Sequence, residues 1–401
     1  MRPALPLSAF WFLYLGGLGV FFPFFSLYLR ENAGLSGTQV GLVIAMLPLV
    51  GIAAQPFWGQ VADRTGSRAG VLVVLALGAA AGQAGLQLAA GFPALLAATV
   101  ALACFGTSVI PQAVSVSFAA LEEPTPRAFG RVRVWGTLGF LVFVVGFPRI
   151  LARIQAARGW QASEAVSEPG LGLMFPVAAA IFLAAAVAAR AVPRGEREAL
   201  RAERGDWRGL FRHRPVMIFL PLSVLAFLCL QGPMGLFPLL IRAQGGTLET
   251  VGNLWVLMLS LEIPLLFYTG ASVDRLGPRG LLFVGVAAGG VRWTVCGLAD
   301  GAPAIYAVQI LHGVTVAGLV IGGPLYLEAA VPERLRSTAQ ALFAMVGVGL
   351  GGVVSNALAG WLLEHVGPRA PYTLGGLGAL ACGLLMLWLL PAPVRPAAAR
   401  R

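Results

Sequence analysis

The chain contains the stretch Gly59-Gln60-Val61-Ala62-Asp63-Arg64-Thr65-Gly66-Ser67-Arg68, and the same pattern returns as Gly270-Ala271-Ser272-Val273-Asp274-Arg275-Leu276-Gly277-Pro278-Arg279. Both copies read G-x-x-x-D-R-x-G-x-R, and each lies between two long apolar stretches. Their separation, from 59 to 270, is about half of the chain, which indicates an internal duplication. In a membrane protein such a repeat is typical of two halves that move against each other.

The composition excludes an ordinary soluble domain. Hydrophobic residues make up 58% of the 401 residues and charged residues only 11%, whereas about a quarter of an average soluble domain is charged. A bilayer crossing needs about 20 apolar residues. We therefore predict an all-α membrane protein with twelve spans, numbered 1 to 12 in chain order. They are expected near 7–29, 38–60, 69–91, 93–119, 130–151, 171–192, 215–241, 249–272, 280–299, 302–330, 337–363 and 371–391.

The basic residues predict the orientation of these spans. All 28 are arginine, and the absence of lysine is typical of a GC-rich bacterial genome. The loops on the side of the two termini hold 21 arginines, against 6 in the opposite loops. Because basic residues accumulate in cytoplasmic loops, we expect a multi-pass protein of the cytoplasmic (inner) membrane of a bacterium, with both termini in the cytoplasm. This distribution explains the net charge of +11 without a nucleic-acid partner.

A polar segment divides the chain near its middle. It mixes arginines with Glu196, Glu198, Glu203 and Asp206, which fits a short surface helix or, equally well, a flexible tether. The predicted organisation is a six-span half at 1–192, a cytoplasmic linker at 193–214 and a second six-span half at 215–401.

The chain has no motif for catalysis or for a bound group. Its four cysteines lie singly in apolar runs, so we expect neither a metal nor a cofactor. H-E-x-x-H, a nucleophile elbow and a phosphate-binding loop are absent, and we therefore expect no enzyme. The expected partners are a small-molecule substrate, a proton and the lipid bilayer, and the chain is expected to act as a monomer.

Three polar residues interrupt the apolar spans of the second half near mid-depth. Glu262, Arg292 and His312 lie about 13, 12 and 10 residues into spans 8, 9 and 10, which is roughly 15–20 Å at ~1.5 Å per residue. A lone ionisable group there costs roughly 2.5–3.5 kcal/mol, so we expect the three side chains to meet. A structural ion pair is the alternative to the functional interpretation that we favour, in which Glu262 and His312 couple transport to a proton.

The repeated pattern resembles the signature of the major facilitator superfamily, in the loops after spans 2 and 8. The resemblance covers the whole chain and implies two pseudo-symmetric six-helix halves with a cytoplasmic gate; a static turn rich in positive charge is the alternative. From the residues, we expect close helix packing at Gly59 and a tight reversal at Gly66. The predicted gating residues are Gly59, Asp63, Arg64, Gly66, Arg68, Gly270, Asp274, Arg275, Gly277 and Arg279.

A narrower resemblance points to the group of phenylpropionic acid transporters and lactose permease-like proton symporters. It rests on Phe129-Gly130-Arg131-Val132-Arg133-Val134-Trp135-Gly136, Pro23-Phe24-Phe25-Ser26 and Gln309-Ile310-Leu311-His312-Gly313. The resemblance implies proton and substrate roles for Glu262, Arg292 and His312, and a substrate-binding role for Arg133. The chain departs from lactose permease at Gln309, which replaces a lysine, and at Thr315, which replaces an acid.

The substrate prediction follows from arginines that face no acidic residue in the first half of the chain. Span 4 carries no acid before Glu122, so Arg133 and Arg292 give positive character that favours an organic anion such as an aromatic acid. Aromatic side chains can enclose an apolar body. The predicted substrate-binding residues are Arg292, Arg133, Gln309, Phe25 and Trp135.

The predicted function is secondary active transport by alternating access, with proton-coupled uptake of a small organic solute. An efflux antiporter of the same fold and a sugar or nucleoside proton symporter are the alternatives. A membrane sensor or enzyme that does not transport is the alternative from a different class.

Overall fold

A computed structural model describes residues 4–121, 126–163, 166–192 and 207–392, without the side chains of 126, 127, 207, 208, 266–275, 334 and 337. Within these ranges, twelve helices are long and apolar enough to cross a membrane and no strand is present. The prediction of a twelve-span, all-α membrane protein is therefore confirmed. The spans are Ala4–Asn32, Gly37–Thr65, Arg68–Leu88, Gly91–Ala120, Ala128–Arg158, Leu171–Arg190, Arg214–Ala243, Leu248–Leu265, Leu276–Leu298, Ala302–Ala330, Thr338–His365 and Ala370–Leu389.

The first copy of the repeated pattern forms a tight reversal between spans 2 and 3. Span 2 begins with a capping box, in which the Ser36 hydroxyl accepts from the Gln39 backbone N–H and the Gln39 side chain accepts from the Ser36 N–H. It ends at Gly66, whose φ of 64° lies in the left-handed region that favours glycine. Span 3 then begins at Arg68.

The second copy turns the chain at the counterpart glycine. The helical segment Leu248–Leu298 is interrupted at Gly277, where φ is 69° and ψ is 167°. A side chain would be strained at either Gly66 or Gly277, which explains why the pattern specifies glycine there. The side chains of Asp274 and Arg275, and the surroundings of Gly270, lie outside the described residues.

Among the residues that the structure describes, three spans contain π-helical segments. These are Tyr28–Asn32 in span 1, Ala317–Ile321 in span 10 and Phe343–Leu350 in span 11. Span 10 is divided further, because its first helix ends at Val308 and the next begins at Leu311. Such departures from regular helix mark places where backbone groups and side chains are redirected. Shorter helices occur at Leu171–Leu173, Trp207–Leu210 and Glu333–Leu335.

The chain divides into two compact units. The first contains Met1–Leu200 and Ile241–Trp255, and the second contains Arg201–Leu240 and Val256–Arg401. The end of span 7 and the start of span 8 thus belong to the first unit. Residues 193–206 of the predicted linker lie outside the described residues, so the linker stays a prediction.

Glycines bring particular helices together inside each unit. In the first unit, a Cβ at Gly139 of span 5 would collide with the backbone of Phe12 in span 1. In the second unit, Gly285 of span 9 and Gly318 of span 10 lie with their backbones in contact. Small residues at such crossings allow close helix packing in membranes. The close contact expected at Gly59 is not found, since a Cβ there would meet no described atom within 4 Å.

Candidate functional site

The second unit brings four of the predicted site residues into one chain of contacts, in which Arg292 and Gln309 are buried and His312 and Glu262 are partly buried. Arg292 donates from Nε to Oε1 of Gln309 at 2.8 Å, and its Nη1 lies 3.0 Å from Nδ1 of His312. The other imidazole nitrogen, Nε2, lies 3.4 Å from Oε2 of Glu262. We call Gln309, Arg292, His312 and Glu262 the buried relay. Its members come from spans 8, 9 and 10.

Close helix contact places Glu262 beside His312. The neighbour of His312 is Gly313, where a Cβ would lie only 2.8 Å from the Cα of Glu262. Any larger residue at 313 would therefore push span 10 away from span 8 and lengthen the contact between the imidazole and the carboxylate.

The break in span 10 orients Gln309. This residue lies between the helices that end at Val308 and begin at Leu311. Its Nε2 donates to the Ile305 carbonyl at 2.7 Å and to the Cys296 sulfur at 3.4 Å. Because both contacts use the nitrogen, the amide oxygen points at Arg292. The glutamine thus satisfies a guanidinium donor without adding a second charge.

The guanidinium of Arg292 is enclosed by soft, apolar groups. The residue is only 2% exposed, and its Nη2 lies 3.4 Å from the Met258 sulfur and 3.6 Å from the Met234 sulfur. The guanidinium carbon lies 4.0 Å from the centroid of the Trp293 ring. Polarisable sulfur and an aromatic face stabilise a cation that has lost its water. These contacts leave little of the guanidinium surface open to a further ligand.

The contacts determine where the hydrogens of the relay lie. A guanidinium is donor-only, so the Nδ1 of His312 that faces Arg292 must accept and carries no hydrogen. The hydrogen of the neutral imidazole is then on Nε2, where it faces the Glu262 carboxylate. A proton added at Nδ1 would set two donors against each other. The relay in this form holds one positive charge, one negative charge and a neutral bridge.

The remaining predicted substrate residues, Arg133, Phe25 and Trp135, lie in the first unit. Arg133 has its guanidinium carbon 4.8 Å from the Trp11 ring centroid and donates to Thr137 at 3.5 Å. Phe25 is buried, with its ring centroid 4.5 Å from that of Phe21. Trp135 is 48% exposed. Their roles in substrate binding stay predictions.

The described part of the gating pattern contains one weak ion pair. Asp63 lies 3.6 Å from Nη2 of Arg68, and both side chains are accessible to solvent. Gln112 of span 4 donates to the Arg68 carbonyl at 3.3 Å, which ties the reversal to a neighbouring helix. Exposed pairs of this kind contribute little to stability, and the gating role of the pattern stays a prediction.

Sequence reasoning missed an ion-pair network in the first unit, at the ends of spans that were predicted to face outside. Arg242 contacts Glu31 at 3.3 Å and also pairs with Glu168. Ser167 donates to Glu31 at 2.5 Å, and Asn32 donates to the Glu168 carbonyl at 2.8 Å. We call Arg242, Glu31 and Glu168 the outer ion-pair network. It fastens segment 241–255 to the rest of the first unit. One signal was available, since each of the three charges lies at a predicted outer end.

Fold and relay together define a membrane transporter with an ionisable centre inside one of its halves. The model of the MFS_1 like family matches residues 4–374, so the chain belongs to this family of the major facilitator superfamily. The resemblance predicted from the repeated pattern is therefore confirmed.

Two relatives and one solved structure illustrate the similarity. The chain is 31% identical over 384 residues to the maltose permease of Geobacillus stearothermophilus, covering 95% of this chain and 93% of that protein. It is 25% identical over 372 residues to the probable 3-phenylpropionic acid transporter of Escherichia coli, covering 89% and 90%. The crystal structure of the nucleoside transporter NupG matches with a TM-score of 0.80 at 16% identity, over 97% of this chain and 98% of that chain. The last likeness concerns the fold alone.

Proposed function

We propose that this transporter carries a neutral, hydroxyl-rich solute of the sugar class across the membrane together with a proton. The observation that carries the proton part is the buried relay, in which a neutral imidazole bridges the Arg292 guanidinium and the Glu262 carboxylate. Uptake into the cytoplasm is the proposed direction. We further propose, from the arginine distribution, that both termini lie in the cytoplasm.

Glu262 is the proposed proton carrier. Its side chain is 19% exposed and that of His312 is 13% exposed, whereas Arg292 is almost fully enclosed. When the carboxylate accepts a proton, the relay changes from a balanced pair of charges to a net positive charge. In a medium of low dielectric constant this change alters the energy of the surrounding structure strongly. A conformational change that alters the contact between His312 and Glu262 then also alters the affinity of the site for its proton.

Two observations support a neutral substrate over the organic anion. The donors of Arg292 already face Gln309, His312 and two methionine sulfurs. The guanidinium of Arg133 stacks on Trp11. The similarity to a maltose permease over nearly the whole chain supports the sugar class.

An organic anion, such as an aromatic acid, is the second candidate. Arg292 is a permanent cation beside a carboxylate that can be neutralised, and a displaced Glu262 would leave it able to attract a substrate carboxylate. The similarity to the probable 3-phenylpropionic acid transporter favours this candidate. Efflux by exchange with protons is the alternative for direction.

Reconstitution of the purified full-length chain in liposomes tests these proposals. With the lumen more alkaline than the outside, maltose is expected to accumulate in the vesicles and 3-phenylpropionate is not. Glu262→Gln is expected to abolish accumulation driven by the pH gradient and to retain exchange of labelled for unlabelled sugar, because a glutamine cannot take up a proton. Glu328→Gln is the matched control, since Glu328 pairs with Arg336 instead and lies outside the relay.

Accumulation by Glu262→Gln at the wild-type level would show that this carboxylate does not carry the proton. If 3-phenylpropionate accumulates and maltose does not, the substrate is an organic anion, which is the second candidate. Extrusion of sugar from the vesicles, driven by the pH gradient, would show that the transporter works as an exporter and not as an importer.

A further inference from the structure

A cavity of about 170 Å³ lies inside the first unit, among spans 1, 2, 3, 4 and 6. Most of its wall is apolar, and aromatic rings come from Tyr14, Phe21 and Phe22 of span 1 and from Phe182 of span 6. Pockets for drug-sized ligands measure roughly 300–1,000 Å³. This cavity therefore has room for one ring of a ligand, or for about six water molecules at ~30 Å³ each. It contains no residue of the buried relay.

Gln83 of span 3 lines this cavity and is 0% exposed. Neither its Nε2 nor its Oε1 has a hydrogen-bond partner among the described residues. Buried amides are almost always paired, because burial removes the water that would otherwise satisfy them. An unpaired amide beside a cavity can be satisfied by a molecule that enters the cavity once the side chain turns toward it.

The other polar groups on the wall complete a pattern that fits a hydroxyl group. Tyr14 donates its hydrogen to the Gly106 carbonyl at 2.9 Å, and Thr107 donates to the Ala103 carbonyl at 2.7 Å. Their oxygens can therefore only accept from a ligand, whereas Gln83 can both donate and accept. A hydroxyl group also donates and accepts at one atom. The wall holds no charged side chain, so a carboxylate or an ammonium group would lose its water without compensation.

We infer that this cavity is a substrate subsite that holds one neutral, hydroxyl-bearing ring, with Gln83 as the residue that recognises a hydroxyl group. The rings of Phe21 and Phe182 lie against the C–H faces of a pyranose-like body, while Gln83, Tyr14 and Thr107 meet its hydroxyls. The inference rests on the proposed function for the sugar class and adds a place and a specificity residue in the first unit.

Equilibrium binding of maltose and of glucose to the purified full-length chain tests the subsite. Gln83→Met keeps the length of the side chain and removes both unpaired atoms. We expect the melting temperature without sugar to be unchanged or higher, since a buried unpaired amide is lost. We expect the dissociation constant for sugar to rise about tenfold, since a hydrogen bond to the ligand is lost. Thr99→Val is the matched control: Thr99 is equally buried in span 4 but already donates to the Leu95 carbonyl and does not line the cavity.

Three outcomes would overturn the inference. Sugar binding by Gln83→Met that is as tight as that of the wild type would show that the amide does not contact the ligand and that water alone fills the cavity. If Gln83→Met and Thr99→Val lower the melting temperature without sugar by the same amount, the amide of Gln83 has a structural role. If neither sugar binds to the wild type, the cavity does not hold a hydroxyl-bearing ring of this kind.

Proton coupling is measured separately, so the two proposals fail independently. If sugar drives proton entry in the wild type and Gln83→Met keeps the same Km, the subsite is wrong and the proposed function stands. If Gln83→Met raises the Km while Glu262→Gln still couples to protons, the subsite stands and the proton part of the proposed function is wrong.

Discussion

The Nη1 of Arg292 lies 3.0 Å from the Nδ1 of His312, so the imidazole accepts from a permanent cation on one side while its other nitrogen faces Glu262. This arrangement gives His312 the role of a neutral bridge, whose proton on Nε2 is shared with the carboxylate. A bridge of this kind transmits the charge state of Glu262 to Arg292 without being charged itself.

The bridge predicts different results for two substitutions of His312. A glutamine can accept from Arg292 with its oxygen and donate to Glu262 with its nitrogen, so His312→Gln is expected to retain most of the uptake driven by a pH gradient. A leucine offers neither contact, and His312→Leu is expected to abolish that uptake and to lower stability by about 1–3 kcal/mol. Liposome uptake and thermal unfolding measure the two effects. If both variants are expressed equally and neither takes up substrate in response to the pH gradient, the imidazole of His312 must itself be protonated during transport.

Charge balance in the relay predicts a rescue. Arg292→Met removes the positive charge that balances Glu262 across the imidazole of His312 and is expected to lower the melting temperature. Adding Glu262→Gln removes the stranded charge, so the double variant is expected to unfold at a higher temperature than Arg292→Met alone. Thermal unfolding of the four members of the cycle measures the coupling. Strict additivity of the two single effects would contradict an interaction between these residues.

The sequence predicted that Glu262, Arg292 and His312 meet, because charged groups in an apolar span are driven to find partners. In the sequence, the three residues fall at similar distances along consecutive predicted spans. Gln309 was predicted to bind substrate, and the structure places it on Arg292 instead of leaving its amide open.

Other side chains could not be placed from one sequence, because the rotation of each helix about its axis is set by packing. Trp135 was expected at the site and is 48% exposed, whereas Gln83, an isolated glutamine in an apolar span, is fully buried on a cavity. The outer ion-pair network joins residues as distant in sequence as Glu31 and Arg242, and Ser167 donates to Glu31 beside it. Loop partners so far apart follow from tertiary structure alone.

The outer ion-pair network predicts a local effect of Arg242→Gln. The substitution removes the contacts with Glu31 and Glu168 that hold segment 241–255 in the first unit. We expect faster amide hydrogen exchange across 241–255, with little change in the second unit, because local opening depends on local contacts. Glu249→Gln is the control, since Glu249 is exposed in the same segment. Equal protection in Arg242→Gln and the wild type would show that apolar packing alone holds this segment.

The counterpart glycines of the repeated pattern predict a matched pair of defects. Gly66 has the left-handed helical conformation, with φ 64° and ψ 1°, whereas Gly277 has φ 69° and ψ 167°, a region that is essentially restricted to glycine. An alanine in either conformation costs roughly 1–3 kcal/mol. Gly66→Ala and Gly277→Ala are therefore each expected to lower the melting temperature of the purified protein. Gly59 lies inside the helix of span 2, and a methyl group added there would meet no described atom within 4 Å. Gly59→Ala is therefore expected to change stability by less than about 0.5 kcal/mol. If Gly59→Ala proved as destabilising as the other two, the pattern would require glycine for a packing contact formed in another conformation and not for the reversal.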